Sequence, residues 1–507
     1  MAATYDAVVV GAGPNGLTAA AFLARAGLAV QVIEAAEEIG GGLRTGELTL
    51  PGYRHDLCSA VHTMGCLSPA FELLELERQG LEWIYPPASL AHPLDDGPTL
   101  LLECSIEDTA AQLGVDEGAY RDLVRPFVRY PKKLFADLLA PLGWPRQPFT
   151  LARFGWLGVR SARMLAFSHF QGEAARALLA GCAGHGVQPL EHALTAAFGL
   201  TFLVAAHVKP WPVASGGSSS IAAALERDCR AHGVEFVCGA PVRSLEDLPT
   251  SQVVLFDLAP RQVAEIAGAA LPPAYREELL AYRMGPGVFK LDWALDGPIP
   301  WRDPGALRAS TVHVAGTFDE LASAEALVWR GQHPEKPFVL LTQQSQFDGT
   351  RAPFGKHTGY AYCHVPAGST VDMTSAIENQ IERFAPGFRE RILARRRTFP
   401  ADIEARNASH LGGAVTGGVA DLGQLFTRPA VRLDPYSTPN PDLFLCSQST
   451  PPGGGVHGMC GFYAARSVLQ RRFGRPLALP APVSATPDRV PRLQETGSAA
   501  ARGAGSR

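Results

Sequence analysis

Residues 5–34 read YDAVVVGAGPNGLTAAAFLARAGLAVQVIE. Tyr5 to Val10 is a short apolar, β-branched run, which predicts a strand buried on both faces of a parallel sheet. GAGPNG follows at once as Gly11, Ala12, Gly13, Pro14, Asn15 and Gly16. Leu17 to Arg25 has the small, apolar pattern of a helix packed on a sheet, and Gly27 stops it. Leu28 to Ile33 predicts a second strand that ends at Glu34. Gly11 permits a tight turn, Gly13 lets the backbone approach a pyrophosphate, and Gly16 allows close helix–strand contact. The helix start, with Pro14 and Asn15, offers free N–H groups and partial positive charge to phosphates. Glu34, eighteen residues after Gly16, is placed to accept hydrogen bonds from a ribose. Strand, glycine turn, helix, strand and terminal acid in this order predict a dinucleotide site in a doubly wound, Rossmann-type α/β fold.

Around this segment the chain has 507 residues, 46 % hydrophobic and 19 % charged, with a formal net charge of −4. That composition excludes disorder of the whole chain and leaves ample apolar material for large cores. Near-neutral charge gives no reason to expect nucleic acid as a partner. An acid at Asp6 stands where a secretory signal carries its basic region. The nine cysteines form no CxxC or zinc spacing, so neither a disulfide framework nor a metal is expected, and a reducing cytoplasm fits best.

The next segment, Ala35 to Thr45 (AAEEIGGGLRT), leads into PGYRHD at Pro51–Asp56. Here the chain resembles the flavin-dependent amine oxidase and phytoene desaturase superfamily. The resemblance implies FAD as cofactor, with Gly40 and Gly41 along its pyrophosphate. The family's arginine after that pair is replaced by Gly42, and Arg44 stands in as the candidate phosphate contact. Val242, after the predicted strand Val234–Val237, matches a valine whose backbone contacts adenine in the family. Near the C-terminus LFLC (Leu443–Cys446) is followed by SQSTPPGGGVHGMCGFYAARSVL. This resembles the superfamily's last FAD motif, in a bacterial branch that includes the pyridine nucleotide-disulfide oxidoreductase domain 2 group. It implies that Gly454, Gly455, Val456 and His457 lie beside the flavin.

The FAD-binding part is therefore expected in three pieces, 1–85, 205–284 and 434–473. An α+β substrate domain is inserted between them, helical over 86–204 and mixed sheet and helix over 285–433. Strands are expected at Val253–Asp257, Gly285–Leu295, Val339–Thr342 and Tyr360–Val365, and helices at Ile221–His232 and Ser375–Phe384. His192 to Val208 carries no Asp, Glu, Lys or Arg. At seventeen residues it is too short to span a bilayer, and it reads as a buried helix lining a tunnel or, alternatively, a membrane-dipping surface. The proline-rich, aromatic-free stretch 474–507 reads as a disordered tail.

Lys290 in VFKLDW is placed like the flavin-contacting lysine of amine oxidases; the plain alternative is a strand lysine paired with Asp292. His457 is the second candidate for proton chemistry, with packing or a bond to cofactor as its alternative. Tyr360, Tyr362 and His364 alternate along one strand face and are candidate cavity residues, as is His185. No GxSxG, HExxH or P-loop motif occurs, which removes hydrolase, zincin and NTPase readings. The expected activity is FAD-dependent oxidation of an apolar, isoprenoid or lipid-like substrate by hydride transfer to flavin N5. Oxygen, a quinone or another carrier would serve as electron acceptor. Amine oxidation is the alternative, and a FAD-stabilised regulatory or scaffold role is the alternative of another class. Peripheral membrane contact is a further expectation.

Overall fold

The computed structural model describes residues 5–477, and in it β1 (Tyr5–Val10) forms the centre of a five-stranded, all-parallel sheet. Its strand order is 443–445, 251–256, 5–10, 30–33 and 235–237. Ala7 to Val10 pair with Val30 to Ile33 (β2) on one side and with Val253 to Phe256 on the other. Strands buried on both faces have no polar side to show, which is why the run AVVV carries no alternation. The helix Pro14–Arg25 (α1) covers one face, with Leu17, Ala20 and Ala21 in its core.

The last described helix, Met459–Arg472, crosses α1 at near-contact distance. A Cβ on Gly461 would lie 1.9 Å from the Asn15 carbonyl oxygen, and one on Gly458 would lie 2.3 Å from Thr18 Oγ1. The two glycine motifs, more than 430 residues apart in sequence, are thus packed directly against each other.

A second sheet has seven strands, ordered 392–398, 287–295, 357–365, 339–342, 309–314, 88–92 and 100–103. Every neighbour is antiparallel except 309–314 beside 88–92. Its alternation is strict. Phe289, Leu291, Trp293, Leu341, Ala361 and Cys363 form an apolar core with Ile377, Ile381 and Phe384 of the helix Thr374–Phe384. The residues between them, Lys290, Asp292, Tyr360, Tyr362 and His364, take the opposite face, as period-2 geometry requires. That face is nearly as enclosed as the first.

The stretch 86–204 is not wholly helical as expected. Ala88–His92 and Leu100–Glu103 are strands of the second sheet. Short apolar runs do not distinguish strand from buried helix by periodicity, and the partner that decides the matter, Ala309–Val314, lies about 200 residues away in sequence. The charge-free segment forms the helix Thr195–Val208, packed on Glu173–Gly184 with Leu200, Leu203 and Val204 in a helical core. The membrane-dipping alternative for this segment is therefore corrected: the apolar residues face other helices. The expected tail from Ala478 onward lies outside the described residues.

One buried polar cluster ties the two-stranded hairpin 45–47/54–56 to the turns at 215–219 and 348–351. The Arg351 guanidinium, completely buried, donates to Asp56 Oδ2 at 2.9 Å and to Asp348 Oδ2 at 2.8 Å. Asp56 Oδ1 accepts from Thr45 Oγ1 and from the Ser218 N–H, both at 2.8 Å, and Asp348 accepts from the Gly216 N–H at 2.9 Å. Burial alone would raise the Asp56 carboxyl. The Arg351 charge and the hydrogen bonds from Arg351, Ser218 and Thr45 outweigh that and hold it below the usual carboxylate range. Replacing Arg351 by Met should strand two buried carboxylates and cost about 3–5 kcal/mol of stability at neutral pH. A carboxyl held low contributes stability above its unfolded pKa that is lost as pH falls through the folded value. Wild type therefore weakens in acid while the variant, relieved by protonation, does not. Melting curves at pH 7 and pH 4 should show the gap between them narrowing in acid; a constant gap would overturn this account.

Candidate functional site

The first glycine turn is shaped by what lies beneath it. Gly11 takes φ +100°, and a Cβ there would meet the Asp257 carbonyl oxygen at 2.9 Å. A Cβ on Gly16 would stand 2.1 Å from the Gly11 carbonyl oxygen, and one on Gly13 would stand 2.6 Å from Asp257 Oδ2. Gly13 is the N-cap of α1 and Pro14 its first residue, the position where a missing N–H costs nothing. Asn15 Oδ1 is buried there without a partner.

Glu34 ends β2, half-buried, with Oε2 accepting the Ala12 N–H at 2.8 Å and Oε1 the Ala36 N–H at 3.0 Å. Ala35 beside it is exposed. Gly40 N–H donates to the Ala12 carbonyl at 2.8 Å, and a Cβ on Gly41 would meet Gly13 Cα at 3.0 Å. Gly42 continues toward Cys58, whose Sγ would lie 3.8 Å from its Cβ. Arg44 is turned back, with Nη2 donating to the Glu38 carbonyl at 2.6 Å and lying 3.6 Å from Glu34 Oε1. Arg44 is thereby paired with Glu34, the acid expected at the ribose. Val242 is half-buried against the core that holds Val10 and Ile33, after a loop whose Ala240 N–H bonds the Glu34 carbonyl at 3.0 Å.

The C-terminal motif closes the same site. Gly454 and Gly455 are exposed, Val456 is half-buried and His457 is buried. A Cβ on Gly454 would strike the Thr416 carbonyl at 2.2 Å, and one on Gly65 would lie 3.0 Å from the Val456 carbonyl. His457 Nδ1 accepts the Met459 N–H at 3.0 Å, so the imidazole caps the start of the last helix. Burial pulls it down to about 4, leaving it neutral. Its Nδ1 lone pair is thus taken up by the start of that helix.

Beyond Cys58 stands the polar face of the second sheet. Lys290 Nζ is hydrogen-bonded to Asp292 Oδ2 and lies 4.4 Å from the centre of the Tyr360 ring. Burial lowers the Lys290 ammonium, opposed by the Asp292 charge and hydrogen bond. Asp292 Oδ1 faces His55 Nδ1 at 3.6 Å, and burial pushes His55 down to about 4. Tyr360 donates to the Cys58 carbonyl at 2.6 Å. His364 Nδ1 is held by both oxygens of Glu325 at 2.9 Å. His185 stacks on Phe202 with ring centres 4.3 Å apart and lies 3.0 Å from His313 through the two Nε2 atoms. Cys58, Tyr362, His185 and Phe202 keep accessible surface while burial dominates the titration of the first three.

Lys290, Tyr360, Tyr362, His364 and His185 therefore meet at one wall, while Glu34 and the glycines form the other end. Three contributors escaped sequence reasoning. Asp257 was visible only as the last letter of a predicted strand, although an acid directly after a central parallel strand points at the helix start. Glu325 lies on the inner face of the helix Phe318–Trp329, and His313 on a strand whose partners are remote.

The glycine cradle, the oriented Glu34 and the orphaned Asn15 oxygen fit a dinucleotide, and the C-terminal motif packed beside them extends the site as FAD requires. The family of NAD(P)-binding Rossmann-like domains matches residues 9–75. A pyridine nucleotide-disulfide oxidoreductase domain-containing protein 2 of Rattus norvegicus is 26 % identical, over 92 % of this chain and 93 % of its own. A zeta-carotene-forming phytoene desaturase of Myxococcus xanthus is 27 % identical, again over 92 % and 93 %. A triple mutant of putrescine oxidase shares the fold at a TM-score of 0.62 and 16 % identity, over 92 % of this chain and 98 % of its own.

Asp257 and Lys290 give sharp tests. Asp257 Oδ2 accepts the Gly16 N–H at 2.8 Å. Burial pushes its carboxyl up to about 7, aided by the Glu34 charge and opposed by bonds from Gly16 and Gly13. A group raised on folding contributes stability that is complete below its unfolded value near 3.9 and is lost as pH climbs through the folded one. Apoprotein melting should fall between pH 5 and pH 8, and Asp257→Asn should flatten that slope; a variant retaining it would exclude Asp257. Lys290→Met should leave Asp292 buried without its counter-ion and cost about 3–5 kcal/mol. Reoxidation of the dithionite-reduced flavin should keep its rate, measured by stopped flow in air-saturated buffer. Slower reoxidation with unchanged melting would instead put the ammonium to work beside the flavin.

Proposed function

Since the chain belongs to the flavin-dependent oxidoreductase superfamily and binds FAD, we propose that it is a dehydrogenase of the phytoene desaturase type acting on a neutral, largely apolar substrate. The observation that carries this reading is the electrostatics of the inner wall. Among the described residues Lys290 is matched by Asp292 and Glu325 by His364. The imidazoles of His55, His185 and His313 are driven neutral by burial. Apart from Arg406, whose charge reaches Lys290 and Cys58 and whose Nη1 is buried without a partner, no ion on that wall is left over among the described residues to hold a charged substrate, and a neutral molecule loses least on entering it.

FAD, when bound, accepts the hydride and stores the two electrons. The chain supplies position and dryness. Gly11, Gly13, Gly16, Gly40 and Gly41 fit the pyrophosphate by backbone approach, and Glu34 fits the ribose. Gly454, Gly455 and Val456 border the flavin end. The helices carrying Phe202 and His185 exclude water from the substrate side, so that a fixed alignment rather than solvent sets the reacting geometry. The proton released alongside the hydride has one backed acceptor on this wall, His364, oriented by Glu325.

An anaerobic flavin-reduction screen tests the reading. Neutral polyenes, isoprenoids or fatty acyl compounds are expected to bleach the oxidised flavin band. Bleaching by primary or secondary amines alone would transfer the chain to the amine oxidases.

A further inference from the structure

The helical region presents a surface that its own chain does not cover. Between residues 129 and 170 there are seven cations, Arg129, Lys132, Lys133, Arg146, Arg153, Arg160 and Arg163, against one acid, Asp137, in a chain whose formal net charge is −4. Asp137 is already taken by Arg146 at 3.1 Å, and acids outside the stretch pair with Lys132 (Glu72) and Arg163 (Glu191 and Asp319), so the cationic character of the patch rests on Arg129, Lys133, Arg153 and Arg160. The same stretch holds fully open aromatic and aliphatic side chains. Trp144 is 98 % exposed, Phe149 91 %, Leu142 76 % and Trp156 70 %.

The helix Pro148–Gly158 shows how unusual this is. Phe154, Leu157 and Gly158 turn inward, and Gly158 sits against Ala197 of the buried helix Thr195–Val208. Phe149, Ala152, Arg153 and Trp156, spaced by three, four and seven residues, turn outward and are exposed. Arg153 is its only charged residue. A helix apolar on both faces belongs inside a protein or against lipid, and here one face has no protein on it. The cations stand among the rings: Arg160 lies 5.5 Å from the centre of Trp156, and Arg129 and Lys133 lie 5.4 and 5.9 Å from that of Tyr130.

We propose that residues 129–170 form a docking surface for an anionic lipid bilayer. Exposed Trp, Phe and Leu interleaved with Arg and Lys are the composition of segments that lie in the headgroup region, where aromatic rings enter the acyl boundary and cations meet lipid phosphates. Eleven residues of helix cover about 16 Å, half of a hydrocarbon core, so the helix lies along the surface and does not cross it. Among the described residues no helix is long and apolar enough to cross a membrane. Charge selects this occupant over a second copy of the chain, because an isologous contact would set the cationic patch against itself. The docking stands apart from the substrate reading.

The test is co-sedimentation of the full FAD-loaded chain with vesicles of phosphatidylcholine alone or mixed with phosphatidylglycerol, at low and high salt. Binding is expected on the anionic vesicles, weakened at least about tenfold by omission of phosphatidylglycerol or by high salt. The double variant Trp144→Ser/Trp156→Ser should lose a further factor of about ten or more while keeping its melting temperature and FAD content. Tryptophan emission of wild type should shift to the blue on anionic vesicles, and that of the double variant should shift less. Absence of sedimentation with anionic vesicles, or equal binding by the double variant, would overturn the proposal. A wild-type dimer in sedimentation velocity that the double variant converts to monomer would also overturn it, assigning the face to a second copy.

Discussion

Arg351 ties together three stretches of chain far apart in sequence, at 45–56, 215–219 and 348–351. Its guanidinium is the only charge of its sign in contact with both Asp56 and Asp348 among the described residues, and those two carboxylates in turn collect N–H groups from the 215–219 turn. Burying three ions is expensive unless every lone pair and proton is met, and here the fork of the guanidinium and the surrounding donors meet them. An apolar contact of equal area would hold these stretches together but leave them free to slide, whereas a planar fork on two carboxylates fixes direction.

The electrostatics of the inner wall follow from the same low-dielectric setting. Away from water, an imidazole without a carboxylate gives up its proton and a lysine keeps its charge only beside an acid. The wall shows both outcomes, His185 and His313 in the first case and Lys290 with Asp292 in the second. Its polarity is therefore that of hydrogen-bonding dipoles, which orient a guest without demanding that it be charged.

Much of the fold was legible along the chain, because its signals are local. The strands around Gly11, the helix after it and the strands Val339–Thr342 and His357–Val365 are marked by hydrophobic run and alternation, and they form where those patterns lie. The pairing of Tyr360, Tyr362 and His364 on one face was legible for the same reason. What escaped was decided by partners distant in sequence. Ala88–His92 is a strand because Ala309–Val314 lies beside it, Asp257 matters because Gly16 is above it, and Arg351 matters because Asp56 reaches it. Arg44 pairs with Glu34, a contact that its position in the motif does not announce.

The crossing of Met459–Arg472 over α1 has a consequence for how the molecule comes into being. Gly458 and Gly461, which seat against Thr18 and Asn15, leave the ribosome about 440 residues after the first glycine turn. At ordinary elongation rates that interval is roughly 20–90 s. Through all of it the nascent chain carries β1 and β2 without the edge strand Leu443–Leu445 and without the helix that covers α1. The dinucleotide site is thus assembled only once residue 461 has been made, from two segments more than 430 residues apart. Capture of the cofactor and closure of the sheet become a single event, and a nascent chain that stalls before residue 443 has a glycine turn but no place to keep what it binds.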